Sequence, residues 1–202
     1  MNQKRALKQL KALKKLSSRL RLAAQGWHKP WKILITTILS ARNRDSKTIP
    51  IAISLYKKYT SLKKLANANI NDIQKIIKPI NYYKTKSKNI INCAKILIKD
   101  YKGKVPLDFG KLIKLPGVGR KTVNILLIEM GKKAIAVDTH VAFISQKLGW
   151  TKNKKSHKIE ENLKKLFPKS YWRKVNLILV RFGQTYSKRR KLELLKKIKR
   201  IR

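Results

Sequence analysis

Three observations predict an all-α fold. Apolar residues recur every three or four positions through most of the 202-residue chain. No segment shows the sustained apolar–polar alternation of a strand. Glycine and proline fall between the periodic runs, where they start or stop helices. A chain of this length buries a real core, in one compact unit or two small lobes.

Leu7, Leu10, Leu13, Leu16 and Leu20, with Lys and Arg in the gaps, predict an amphipathic first helix that packs on the body and that Gly26 and Pro30 break. Residues 31–40 are apolar on nearly all sides and predict a central buried helix, despite several β-branched residues. The polar turn from Ala41 to Asp45 follows, with Asp45 or Ser46 expected to cap a helix reaching Tyr59. Two short helices, 61–65 and 71–77, lead to Pro79 and an aromatic loop. There Tyr82 and Tyr83 stand among Lys84, Lys86 and Lys88, before a helix over 85–101. An aromatic among cations can stack on bases or wedge between them, as in proteins that kink DNA; it also serves as an ordinary core or surface residue. Beyond the centre of the chain, helices are expected over 155–166 and 171–182, separated by Pro168. Leu192, Leu194, Leu195 and Ile198 allow a terminal helix in the Lys/Arg-rich tail.

The centre is Leu115-Pro116-Gly117-Val118-Gly119-Arg120-Lys121-Thr122, a tight hairpin between helices over 108–115 and 123–130, the second ended by Gly131. Gly117 and Gly119 permit positive φ or close backbone approach, and Pro116 starts the turn. Such a turn aims backbone N–H groups outward at a helix N-terminus, which suits a phosphate oxygen. Arg120 and Lys121 add positive charge at an end where the helix dipole disfavours it, so helix stability does not explain them. Asp138 lies seventeen residues after Lys121. A ten-residue helix is about 15 Å long, and residues 134–137 can lead the chain back along it. Asp138 is therefore expected near the hairpin, as the N-cap of a helix over 139–148 that Gly149 closes.

Charge is extreme: 52 Lys and Arg against 9 Asp and Glu leave +43. A polyanionic partner follows, and nucleic acid suits it better than a membrane. Lys, Ile and Asn are abundant together, so a general compositional bias also contributes to this surface. Cys93 is the sole cysteine and falls in an apolar-periodic run, so no disulfide or cysteine metal cluster forms within one chain. His140 and His157 have no partners at metal-ligand spacing, and no metal is assigned. No stretch is apolar over the eighteen residues a membrane helix needs, and no signal peptide is expected. An intracellular, DNA-associated monomer is the expectation, in the cytoplasm or nucleoid of a prokaryote.

Residues 115–122 followed by Ala136-Val137-Asp138-Thr139-His140 resemble the helix-hairpin-helix and Gly/Pro…Asp motif of the endonuclease III family of DNA base-excision glycosylases. Residues 30–42 resemble the helix and turn that open that family's barrel, and 80–87 its minor-groove wedge loop; together the resemblance covers about residues 25–185. It implies two lobes with a DNA groove between them: a six-helix lobe over 25–134, and a second from 1–24 with 135–202. It also implies an enzyme that extrudes a damaged base from the duplex and fills the hole. Arg42 would fill the gap left by the extruded nucleotide, where many members have glutamine, and Tyr82 would be the wedge. Leu115, Gly117, Val118, Gly119, Arg120, Thr139 and His140 would contact DNA. Lys121 would be the nucleophile at the sugar C1′, with Asp138 assisting. Members without a nucleophile at the lysine position generally only remove the base, so Lys121 implies AP lyase activity as well. Most members hold an iron–sulfur cluster through four cysteines. Ser187 falls about where the first would be, so no cofactor is expected. The lobe would then rely on packing and phosphate contacts of its terminal helix.

Oxidised pyrimidines are the implied substrates. An 8-oxoguanine glycosylase or a uracil/thymine mismatch glycosylase on the same scaffold remains an alternative, as does a non-catalytic helix-hairpin-helix DNA-binding protein.

Overall fold

A computed structural model describes residues 2–201. Met1 and Arg202, which the expected second lobe includes, lie outside the described residues. The described residues contain helices and no strand. They divide into two compact units, Arg21–Met130 and Met1–Leu20 with Gly131–Arg202. Both boundaries fall four residues before the expected ones, 25 and 134.

The continuous unit is built on α2 (Pro30–Ser40), nine of whose eleven residues are buried. Each β-branched residue costs a few tenths of a kcal/mol in helix propensity, while burying an isoleucine is worth about 1.5–3 kcal/mol. Burial wins. Around α2 pack α3 (Asp45–Lys58), α4 (Leu62–Ala66), α5 (Ile70–Ile77) and α6 (Tyr83–Tyr101), then α7 (Phe109–Leu112) and α8 (Arg120–Glu129). That makes seven helical segments, as many as the local sequence patterns predict between residues 31 and 130, against the six that the resemblance implies for this lobe. Tyr56 pins the polar seam of this core. Its hydroxyl accepts from Thr36 at 2.7 Å and donates to the Lys32 carbonyl at 2.8 Å. Trp27 and Trp31 pack edge-on against its ring. Burial pushes the Tyr56 pKa well up.

The other unit joins α1 (Gln3–Leu16) to α9 (Thr139–Leu148), α10 (Ser156–Leu166), the 3₁₀ turn Lys169–Tyr171, α11 (Trp172–Thr185) and α12 (Lys188–Lys199). Gln9, fully buried, accepts from Trp150 Nε1 at 2.7 Å and donates to the Ile198 carbonyl at 3.3 Å. Arg5 donates to the carbonyls of Lys199 and Ile201 at 2.6 and 2.8 Å, closing the C-terminus of α12.

Several sequence expectations need correction. The first helix ends at Leu16, not Leu20. Ser17 turns extended, its hydroxyl bonding the Leu13 and Ile178 carbonyls, and Ser18 N–H donates to Thr185. These tertiary bonds replace the next helical turn and leave Leu20 46% exposed. Neither Asp45 nor Ser46 caps α3; Arg44 is its N-cap, without a side-chain cap bond. Asp45 sits inside the first turn, where a carboxylate complements the dipole. The aromatic-loop helix begins at Tyr83 rather than 85, with Tyr82 as its left-handed N-cap. The helix expected over 108–115 contracts to the single turn α7, capped by Asp108, whose carboxylate accepts from Lys111 N–H at 2.8 Å.

Candidate active site

The hairpin turn is set by Leu115 to Val118. Val118 N–H donates to the Leu115 carbonyl at 3.1 Å, and Gly117 has φ of 76°. Proline followed by a positive-φ glycine is the preference of a type II turn. Gly117 is also packed: a Cβ there would come within 3.0 Å of Asn89 Cβ and 3.2 Å of Ile38. Gly119 is different. Its φ is −98°, which any residue adopts, and nothing lies within 4 Å of where its Cβ would be. The expected positive φ therefore holds at Gly117 alone, and the structure leaves open space at Gly119.

Gly119 is the N-cap of α8 and has no side-chain cap. The first intrahelical bond runs from Val123 N–H to the Gly119 carbonyl. Earlier N–H groups at this N-terminus have no intrahelical acceptor, which suits a phosphate. Leu115 and Val118 are 4% and 7% exposed. Their side chains belong to the core, so only their backbone can face a ligand. The exposed Arg120 guanidinium lies 5.0 Å from the Phe109 ring centroid. Lys121 is half-buried and makes no hydrogen bond or ion pair among the described residues.

The turn after α2 and the loop before α6 are brought together. Arg42 and Tyr82 both adopt left-handed backbone conformations, at φ 58° and 61°. Arg42 Nη1 donates to the Tyr82 hydroxyl at 2.8 Å, and the guanidinium lies 5.5 Å from the ring centroid. Asn81 Nδ2 donates to the Arg42 carbonyl at 2.8 Å, while Asn81 N–H donates to Asn43 at 3.0 Å. Tyr82 is nonetheless 59% exposed. Behind these tips lies a cleft of about 300 Å³, lined by Ile38, Arg42, Tyr82, Lys86, Asn89 and Gly117 among others. Lys86 corrects the sequence reading, in which it stands with Lys84 and Lys88 as a cation around the aromatics. Lys84 and Lys88 are exposed, whereas Lys86 is buried and bonded to backbone. Its spacing on α6 with Ile90, Cys93 and Ala94 carries that signal.

In the other unit Asp138 is the N-cap of α9, its carboxylate accepting from Val141 N–H at 2.8 Å. Gly149 closes the same helix at φ 77°. The preceding segment, Ala134 to Val137, is buried, and Asn176 of α11 donates to the Ala136 carbonyl at 2.9 Å. Asn176 thus steadies the backbone two residues before Asp138, a role its place in an apolar run does not advertise. Thr139 is exposed at the helix start. His140 lies against α11 at Gly183, where a Cβ would come within 2.4 Å of its imidazole.

The residues present do not fit a four-cysteine iron–sulfur cluster. Ser187 caps α12, accepting from Arg190 N–H at 3.3 Å. Cys93 is buried in the other unit's core, and burial pushes its thiol up to about 12. Among the described residues no group of three His, Cys, Asp or Glu side chains is placed to hold a metal ion.

Residues 35–169 match the model of the HhH-GPD superfamily base excision DNA repair proteins. An endonuclease III of Thermotoga maritima is 42% identical over 160 residues, covering 79% of this chain and 75% of that protein. The endonuclease III of Escherichia coli (strain K12) is 33% identical over 143 residues, covering 70% and 68%. A trapped endonuclease III–DNA covalent intermediate superposes with a TM-score of 0.85 at 30% identity, covering 92% of this chain and 88% of that one. The chain belongs to the endonuclease III family within the HhH-GPD superfamily, and is a base-excision-repair DNA glycosylase with AP lyase activity.

Proposed function

We propose that Lys121 is the nucleophile of this activity and that oxidised pyrimidines in duplex DNA are its substrates. The observation that carries the assignment is a lysine that makes no hydrogen bond or ion pair among the described residues, at the second position of a helix N-terminus without a side-chain cap, directly after a turn whose Gly119 faces open space. The N–H groups of that turn hold a phosphate next to the damaged nucleotide. Arg42 and Tyr82 occupy the gap left when the base is extruded. The Lys121 amine forms a bond to C1′ as the glycosidic bond breaks and the base leaves with the electron pair. The ring opens to an imine on Lys121. Loss of a C2′ proton then expels the 3′ phosphate by β-elimination. Asp138 accepts a proton or stabilises the positive charge that develops on the sugar. That a relative is known as a trapped covalent intermediate with DNA supports a covalent step.

We further propose that the protein acts as a monomer without an iron–sulfur cluster, with α12 held by Arg5, Gln9 and the Ser187 cap. Purified protein should be colourless and contain no stoichiometric iron; visible charge-transfer absorption from a bound cluster would overturn this.

Borohydride should trap the protein on abasic DNA, and Lys121→Ala should abolish trapping and strand cleavage. Duplex affinity should stay within several-fold, since one charge among 52 cationic side chains is a small part of the field. Undiminished trapping in Lys121→Ala, with the adduct mapped to another amine, would refute the assignment.

A further inference from the structure

Lysine is almost never buried without compensation, yet Lys86 is 7% exposed. What meets its charge is backbone. The ammonium donates to the Leu39 carbonyl at 2.8 Å and the Ala41 carbonyl at 2.6 Å. Both lie at the C-terminus of α2, where carbonyls lack intrahelical partners and the dipole is negative. That compensation is incomplete. Burial, and after it the positive charge of Lys121, lowers the Lys86 pKa to about 8. An apolar side chain of similar volume would avoid this desolvation. The charged residue earns its place through what it holds.

The Ala41 carbonyl immediately precedes Arg42, whose left-handed backbone aims the guanidinium at Tyr82. Tyr82 in turn is the N-cap of α6, the helix that carries Lys86. Lys86 thus closes a ring of bonds: from α6 to the end of α2, through Arg42 to Tyr82, and back into α6. Asn81 braces the same ring from the loop side, through the Arg42 carbonyl and Asn43. Two left-handed non-glycine residues cost on the order of 1–3 kcal/mol each, and they persist because these bonds over-determine them. The result is two exposed tips held as one body, beside the cleft that reaches Gly117 of the hairpin.

We propose that Lys86 is a positioning residue: by locking the end of α2 onto α6 it presents Arg42 and Tyr82 to the duplex as a single preformed wedge. The inference rests on the reading of Arg42 and Tyr82 as the groups that replace an extruded nucleotide. Preorganisation removes an ordering cost otherwise paid when the stack opens. Its effect is confined to steps in which a base leaves a duplex. Attack by Lys121 on a sugar with no stack to open does not need it.

The test compares two substrates in single turnover: excision of an oxidised pyrimidine from duplex DNA, and borohydride trapping on a single-stranded oligonucleotide with an abasic site. Lys86→Met should slow duplex excision at least tenfold while trapping on the single strand stays within twofold. In the Arg42→Ala/Tyr82→Ala background, Lys86→Met should slow excision no further, because the wedge it positions is gone. Lys86→Gln, which keeps an N–H donor, should recover most of the duplex rate; it also serves if the methionine variant does not fold. Equal losses on both substrates, or an additive loss in the triple variant, would overturn the proposal. No trapping by the unaltered protein would refute the lysine chemistry beneath it instead.

Discussion

Two helix N-termini carry the motif, and they are finished in opposite ways. At α9 the Asp138 carboxylate folds back onto Val141 N–H and fills the cap position. At α8 the cap position is Gly119, which has no side chain to offer, and the first residues beyond it are Arg120 and Lys121. A stability-driven sequence would seal both ends and put acid, not base, in the first turn. The α9 end is sealed by its cap though its first turn carries no acid, and the α8 end breaks the rule twice. The difference teaches where to look for a ligand: an N-terminus left open beside cations suits an anion from outside. The sealed one keeps its carboxylate at a fixed place.

Substitutions at the two caps test this contrast. Asparagine caps a helix about as well as aspartate, so Asp138→Asn should keep the melting temperature. It should slow base removal roughly 100-fold, in the range expected for loss of a general acid–base or charge-stabilising group. Cleavage of a pre-formed abasic site should suffer much less, and single-turnover rates on the two substrates separate the steps. An unchanged excision rate would reduce Asp138 to a cap. The next effect is at the open end. Gly119→Asp fits the extended backbone and the free space there. It should cap α8 and raise stability by a few tenths of a kcal/mol. Duplex affinity should fall roughly tenfold, by loss of a charge-assisted contact, measured by fluorescence anisotropy at fixed salt. Unaltered affinity would show that no phosphate sits on that N-terminus. The smallest effect is thermodynamic. Asp138→Ala should cost about 1 kcal/mol, or roughly 2–4 °C in Tm for a chain of this size, on top of the activity loss seen with asparagine.

The all-α class, the buried helix over Pro30–Ser40, and the Asp138 and Gly149 ends of α9 were legible because each is decided locally. Burial period, cap chemistry and a left-handed glycine act within a few residues. What escaped was decided at long range. The first helix stops at Leu16 because Ser17 and Ser18 bond partners more than 160 residues away. Nothing in a leucine repeat reports that. Lys86 looked like one more surface cation among Lys84 and Lys88, although its helical spacing with Ile90, Cys93 and Ala94 puts it on the buried face of α6. Only the pairing of α6 with the end of α2 supplies the two carbonyls that make its burial possible. The two hairpin glycines looked equivalent in the sequence, yet packing against Ile38 and Asn89 fixes one and leaves the other facing open space. Of the candidate site, the motif residues could be named from sequence; the Arg42–Tyr82 bond and the support from Asn176 could not.

The unit that carries Asp138 is discontinuous in sequence, and its first helix is fastened to its last by the bonds of Arg5 across 194 and 196 residues. The unit that carries Lys121 is continuous in sequence, from Arg21 to Met130. Domains fold as units while the chain is still being synthesised, and contacts this distant in sequence are slow to form. The unit with Lys121 can therefore fold on the ribosome while α1 still waits for α12. A chain released before its final turns would hold a folded hairpin with its lysine, alongside an amphipathic helix exposing Leu10 and Leu13. Such a product would be open to proteases and self-association at its start, although the missing residues belong to its end.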